Sequence, residues 1–199
     1  MKPDRAEILR YLRMGSAAPD ATLAERIDAV EAEVLAVARP RHLADLVPLC
    51  SLPDEPTARG GDIPVAAEEA ALRIGPLTLR SAALRRALRG ARRAYLFAAT
   101  LGHEVDLLLR RYAATDSADL LIAQAAATAV LEGYADEACE TLEGPRTPRF
   151  SPGYGDLPLE VQRDFLAAVD GQRRLGITLT DTSLMIPSKS VTAIIGVLS

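Results

Sequence analysis

The sequence predicts an α+β fold built on a mostly antiparallel sheet, and three observations predict it. Apolar residues recur at helical spacing in several segments, other segments are short, apolar and rich in β-branched residues, and the two kinds do not alternate in the regular rhythm of a parallel sheet. A length of 199 residues, 49% of them hydrophobic, with a formal charge of 23 − 27 = −4, is enough for one domain with a substantial core. Collagen, coiled coil and wholesale disorder are excluded by the same composition. The reading is a single domain over residues 1–199 with a helical N-terminal part over 1–50.

Taken in order, residues 4–13 place Ile8, Leu9 and Leu12 on one helical stripe, and residues 20–38 do the same with Leu23, Ile27, Val30, Val34 and Val37 until Pro40 ends the run. Short extended pieces are expected over 43–49 and 71–79. The Pro/Gly/Asp-rich stretch 52–64 between them predicts the most mobile loop of the first half. Ser81 suits an N-cap and Gly90 a left-handed stop, which brackets a short helix. Residues 92–100 read as a buried strand, Gly102 opens a helix to about Ala114, and Asp116 or Ser117 caps the longest helix, reaching Leu142 before Gly144 and Pro145. Beyond a loop-rich stretch, 159–169 carries a one-faced helical pattern. Residues after Gly171 read as extended, with strands over 176–180 and 190–198 joined across 185–189.

Several functions are excluded or weakened. Charged residues interrupt the first fourteen positions, which excludes a signal peptide, and the longest uncharged stretch, 120–131, is too short to span a bilayer. Cys50 and Cys139 lie 89 positions apart, with neither zinc-site spacing nor the density of a disulfide scaffold, so a reducing cytoplasm is the expected setting. Neither His42 nor His103 belongs to a triad or metal motif, and both read as structural. There is no nucleophile elbow, no P-loop and no dinucleotide fingerprint. No catalytic residue and no metal site is assigned.

Charge is uneven. Residues 70–103 hold seven arginines and no acid, and residues 112–145 hold seven acids and no base. The basic run is read either as a solvated face or as a surface for phosphate or an acidic protein. A nucleic-acid module is the weakest reading, because the chain is acidic overall and only 4% aromatic. Of the 23 basic residues only Lys2 and Lys189 are lysine, a bias attributed to composition.

Two segments carry recognition chemistry. In Arg149-Phe-Ser-Pro-Gly-Tyr-Gly-Asp156, the guanidinium offers a bidentate clamp for a carboxylate, Pro152 fixes the path, and Gly153 and Gly155 flank Tyr154 where a backbone could approach a ligand. The alternative is a tight turn with a surface arginine. The second segment, 179–190, is a hydroxyl-rich turn between strands.

The order Arg149-x-Ser151-Pro152-Gly153-Tyr154-Gly155, a helix, then Leu179-Thr180-x-x-x-x-Met185-x-Pro187-x-x-Ser190-Val191 resembles the activation domain of vitamin B12-dependent methionine synthase, especially its short stand-alone relatives. Arg10-Tyr-Leu12, Ala99-Thr-Leu-Gly102 with Glu104 to Asp106, and the Ala/Glu-rich helix around Glu132 are similar in order and spacing, so the resemblance covers most of the chain. It implies a helix-flanked, twisted antiparallel sheet, in agreement with the fold class above. It also implies a donor-binding C-terminal part over about 145–199 that holds S-adenosylmethionine and presents its methyl group to cobalamin carried by a partner.

The implied role is repair of a cobalamin-dependent methionine synthase lacking its own activation domain. One electron from a flavodoxin or ferredoxin, trapped by methyl transfer, restores methylcobalamin from cob(II)alamin. Arg149 matches the family arginine that clamps the donor carboxylate, Gly153 and Tyr154 match the loop whose backbone lines the adenosine, Ser151, Pro152 and Gly155 are expected to bind the donor with them, and Glu132 matches a helix glutamate of the site. Lys189 and Ser190 stand where a cation and a hydroxyl could meet corrinoid side chains or the partner. Three departures are visible: Gly155 replaces a family proline, the aspartate-bearing N-terminal segment is missing, and the sequence ends at Ser199 before the family's tyrosine-bearing tail. They imply a donor held differently, and leave open a stand-alone methyltransferase or an activator of another corrinoid protein. Membrane and nucleic-acid partners are not expected.

Overall fold

The computed structural model describes residues 4–14, 18–52 and 71–198. Two helices come first, α1 (Arg5–Tyr11) and α2 (Ala21–Val37), each started by an aspartate whose carboxylate accepts from a first-turn N–H: Asp4 from Ala6, Asp20 from Leu23 at 2.8 Å. The long strand β1 (Arg41–Ser51) follows, then the hairpin β2 (Leu72–Ile74) and β3 (Leu77–Leu79), helix α3 (Ala82–Ala87) and strand β4 (Ala91–Thr100). Helices α4 (His103–Thr115) and α5 (Ser117–Glu140) come next, then α6 (Val161–Ala168), α7 (Gly171–Leu175), the short β5 (Thr178–Leu179) and β6 (Met185–Ile186), and β7 (Ser190–Leu198).

The main sheet has the order β3-β2-β1-β4-β7, with every neighbouring pair antiparallel, so the fold is α+β with helices on both sheet faces. Strand β4 lies inside the sheet and is buried from both sides. Its Tyr95, Phe97 and Ala99 face a core with α1, α2, α4 and α5, and its Ala94, Leu96 and Ala98 face a second core with α3, α6 and α7. A continuous apolar run, with no polar alternation, is what such a strand requires. Each fully buried large side chain, such as Phe97, contributes about 1.5–3 kcal/mol relative to an exposed one. Alanines 123, 126, 127 and 129 let α5 lie close against its neighbours. No described helix is long and apolar enough to cross a membrane.

Several expected boundaries are corrected. The helical N-terminal part ends at Val37, because 41–51 is strand. Pro48 sits inside that strand opposite Arg93, and its carbonyl accepts from Gly75 N–H at 2.9 Å. Residues 71–79 form a hairpin, with Gly75 at φ +55° in the turn. The stretch after Gly171 begins as a helical turn, since Asp170 at φ +51° bends the chain back so that Leu175 and Ile177 enter the core. Residues 176–180 do not pair with 190–198. Thr178 and Leu179 pair with Ile186 and Met185 in a separate ribbon, while β7 takes the place beside β4 that buries both its faces. Ser81 caps α3, and Asp116 rather than Ser117 caps α5. The loop expected over 52–64 lies outside the described residues apart from Leu52, whose N–H donates to Ala71 O at 2.8 Å.

Candidate functional site

After α5 the chain turns at Gly144 and Pro145 and runs along the outer edge of β7. Thr147 N–H donates to Gly196 O at 2.9 Å, Phe150 N–H to Ile194 O at 3.1 Å, and Ile194 N–H returns to Phe150 O at 2.8 Å. These bonds cover what would be an open sheet edge. They also fix Arg149 beside α5, where its Nη2 donates to Glu132 Oε2 at 2.6 Å and to Asp136 Oδ1 at 3.0 Å. Nη1 of the same guanidinium is shut off from solvent and has no hydrogen-bond partner among the described residues. A buried donor left in this state costs about 1–3 kcal/mol.

Between α5, β7 and this segment lies a cavity of about 410 Å³. Glu132, Asp136 and Cys139 line it from α5, one face of the helix at spacings of four and three. Val191 and Ile195 line it from β7. Burial pushes the Cys139 thiol pKa up, with the Arg149 cation opposing. Arg146 also borders the cavity, but its Nη1 donates to Leu142 O and Gly144 O, which ties that cation to the carbonyl end of α5.

The loop 150–157 is pinned from its far end. Asp156 accepts from Ser81 Oγ, from Ala82 N–H at 2.7 Å and from Ala83 N–H at 3.1 Å, so it supplements the N-cap of α3. Those donors hold its carboxyl pKa down to about 2. Gly155, at φ +57°, presses on the same helix, and a Cβ there would stand 2.6 Å from Ala83 Cβ. Pro152 is buried, and Gly153 N–H donates to Leu157 O at 2.9 Å to close the turn. Tyr154 stands 60% exposed on the cavity rim, edge-on to Phe150 at 6.1 Å.

Of the residues singled out from sequence, Glu132, Arg149, Ser151 and Tyr154 therefore meet at one cavity, and Pro152, Gly153 and Gly155 shape the loop beside it. Lys189 and Ser190 are turned inward instead of standing free for a corrinoid or a partner. The Lys189 amine donates to Thr128 Oγ1 at 2.9 Å and lies 3.4 Å from Gln124 O, and burial lowers its pKa. The Ser190 hydroxyl is buried beside Thr100 Oγ1 and Pro187 O. Asp136, Cys139 and the floor residues of β7 are additions that the sequence motifs do not pick out; the stripe Glu132, Asp136, Cys139 on the expected helix is the signal that could have found the first two.

A second cavity of about 400 Å³, between α3 and the sheet end, is bordered by Arg85, Arg86 and Arg89 and contains none of these residues. The acidic block finds cations outside the basic one: Asp116 and Asp119 pair with Arg26, Glu132 and Asp136 with Arg149. His42 Nδ1 lies 2.8 Å from Tyr134 Oη, away from the cavity lining. Among the described residues no three His, Cys, Asp or Glu gather as metal ligands.

No protein-family model matches the chain, and no curated protein matches it. Among solved structures it is similar to a crystal structure described as the MetH reactivation domain bound to AdoHcy, with a TM-score of 0.59 and 17% sequence identity. The match covers 94% of this chain and 69% of that one. At this identity the likeness establishes a common fold.

Proposed function

We propose that this chain binds S-adenosylmethionine in the cavity between α5 and β7 and presents the methyl group to a corrinoid held by a partner. The observation that carries the reading is Arg149: a guanidinium on the wall of a cavity, ordered by two carboxylates, with one nitrogen buried and unpartnered among the described residues. A donor carboxylate that reaches this nitrogen after a small rotation of the side chain satisfies it. The solved neighbour of the same fold is described as bound to AdoHcy, a ligand of the same adenosyl amino-acid type.

The cavity rim favours presentation over an enclosed reaction. Tyr154 is 60% exposed and the Asp136 side chain 70% exposed, so a large acceptor can reach the site. The chain's part is then to hold and aim the donor, an approximation effect needing no protein nucleophile or base. In this reading residues 145–199 and the carboxylates of α5 supply the donor contacts, and the client is a cobalamin-dependent methionine synthase lacking its own activation domain, reduced by a flavodoxin or ferredoxin.

The test has two arms. Calorimetry of the isolated chain with S-adenosylmethionine should show saturable binding, and absence of heat or thermal shift at millimolar ligand overturns the site. In the second arm, inactive client, reductant and S-adenosylmethionine should regain activity only when this chain is added, and recovery without it overturns the accessory role. Glu132→Gln should slow recovery at limiting donor while leaving the fold intact, because it removes charge but keeps shape.

A further inference from the structure

The charges around Arg149 do not balance, and the imbalance specifies the ligand's head group. Two carboxylates, Glu132 and Asp136, share the single nitrogen Nη2, while Nη1 has no acceptor among the described residues. The other cation on the cavity wall, Arg146, is directed to the carbonyls of Leu142 and Gly144. The Thr147 hydroxyl on the same wall donates to Pro148 O at 3.2 Å and accepts from Gly196 N–H at 2.9 Å. The site therefore lacks one anion for Nη1 and one cation for the second carboxylate.

We infer that Asp136 is a specificity residue that reads the ammonium group of an α-amino-acid zwitterion whose carboxylate goes to Arg149. A simple carboxylate answers only half of the site, since it adds a negative charge beside two others. A zwitterion answers both halves. Asp136 is better placed than Glu132 to meet the ammonium, because its bond to Arg149 is the longer, at 3.0 against 2.6 Å, and its side chain is 70% exposed against 40% for Glu132. Glu132 stays as the tether that orients the guanidinium. This deepens the donor-binding reading, and rests on it for the adenosyl part of the ligand.

The experiment crosses two proteins with two ligands. Calorimetry measures S-adenosylmethionine and its deaminated analogue against the wild-type chain and Asp136→Asn. The wild type should prefer the amino-bearing ligand by about fivefold, the modest size set by the solvent exposure of Asp136. Asp136→Asn should erase that preference by weakening S-adenosylmethionine alone, with the analogue changed by less than about twofold. An equal loss for both ligands, or none for either, overturns the role of Asp136 while leaving the donor reading intact. If neither adenosyl ligand binds the wild type, the donor reading falls, and L-methionine against 4-methylthiobutyrate decides the head-group rule separately: no preference for the amino acid overturns that too.

Discussion

Two loop-rich segments of the second half carry the most suggestive sequence motifs, and the fold uses them in opposite ways. Segment 146–157 is fastened at both ends, to the β7 edge by backbone bonds and to α3 by Asp156, yet among the described residues it leaves one guanidinium nitrogen of the cavity-lining Arg149 without a partner. Segment 178–190 spends the polar groups of its last three residues on bonds to other parts of the fold. The Ser188 N–H and hydroxyl both donate to Asp106 of α4, Lys189 reaches Thr128 of α5, and Ser190 bonds Thr100 or Pro187. Hydroxyls and a lysine in a turn do not by themselves mark a ligand site. A donor that the fold orders but does not satisfy is a stronger sign.

The contrast is broken most severely at Arg149. Arg149→Ala should weaken S-adenosylmethionine binding by about 1.5–3 kcal/mol, the range for hydrogen bonds to charged groups, as read by calorimetry. Unchanged affinity would mean that the unpartnered nitrogen is incidental. Next comes Gly155→Ala, which places a Cβ 2.6 Å from Ala83 at a left-handed backbone position. We expect a loss of about 1–3 kcal/mol in chemical denaturation, with weaker donor binding because the loop shifts from α3. A neutral result would show that the far anchor is dispensable.

Acid sharpens the comparison further. The Asp156 carboxyl has its pKa held down to about 2 against an ordinary 3.8, so its stabilisation is fully present above about pH 4 and fades as pH falls from 3.8 through 2. The thermal midpoint of Asp156→Asn should therefore lie below that of the wild type at pH 6, and the two should converge as pH drops below 3. Parallel curves across that range would reject the cap. The smallest effect is expected in the other segment: Lys189→Met should leave donor affinity, client affinity and its salt dependence unchanged. Stability should move by less than about 1 kcal/mol, since an amine bonded to Thr128 is exchanged for a side chain of similar length. A marked loss of client binding would return Lys189 to a contact role.

Local pattern determined much of this molecule. The stripe Ile27, Val30, Val34 specified α2, Ser81 specified a cap, and the apolar run 94–99 specified a buried strand, because spacing and capping are properties of neighbouring residues. The motif around Arg149 and the helix position of Glu132 were legible for the same reason, as was the α+β class. Pairing was not. That β7 joins β4, that 178–179 folds onto 185–186, and that α7 returns Leu175 to the core depend on which distant surface best buries each apolar face. The same holds for the side chains: Asp156 at α3, Asp136 at Arg149 and Lys189 against α5 join positions 73, 13 and 61 residues apart. Only the packed structure decides which donors and acceptors meet, and which one is left without a partner, because desolvation acts on groups brought together by the whole core.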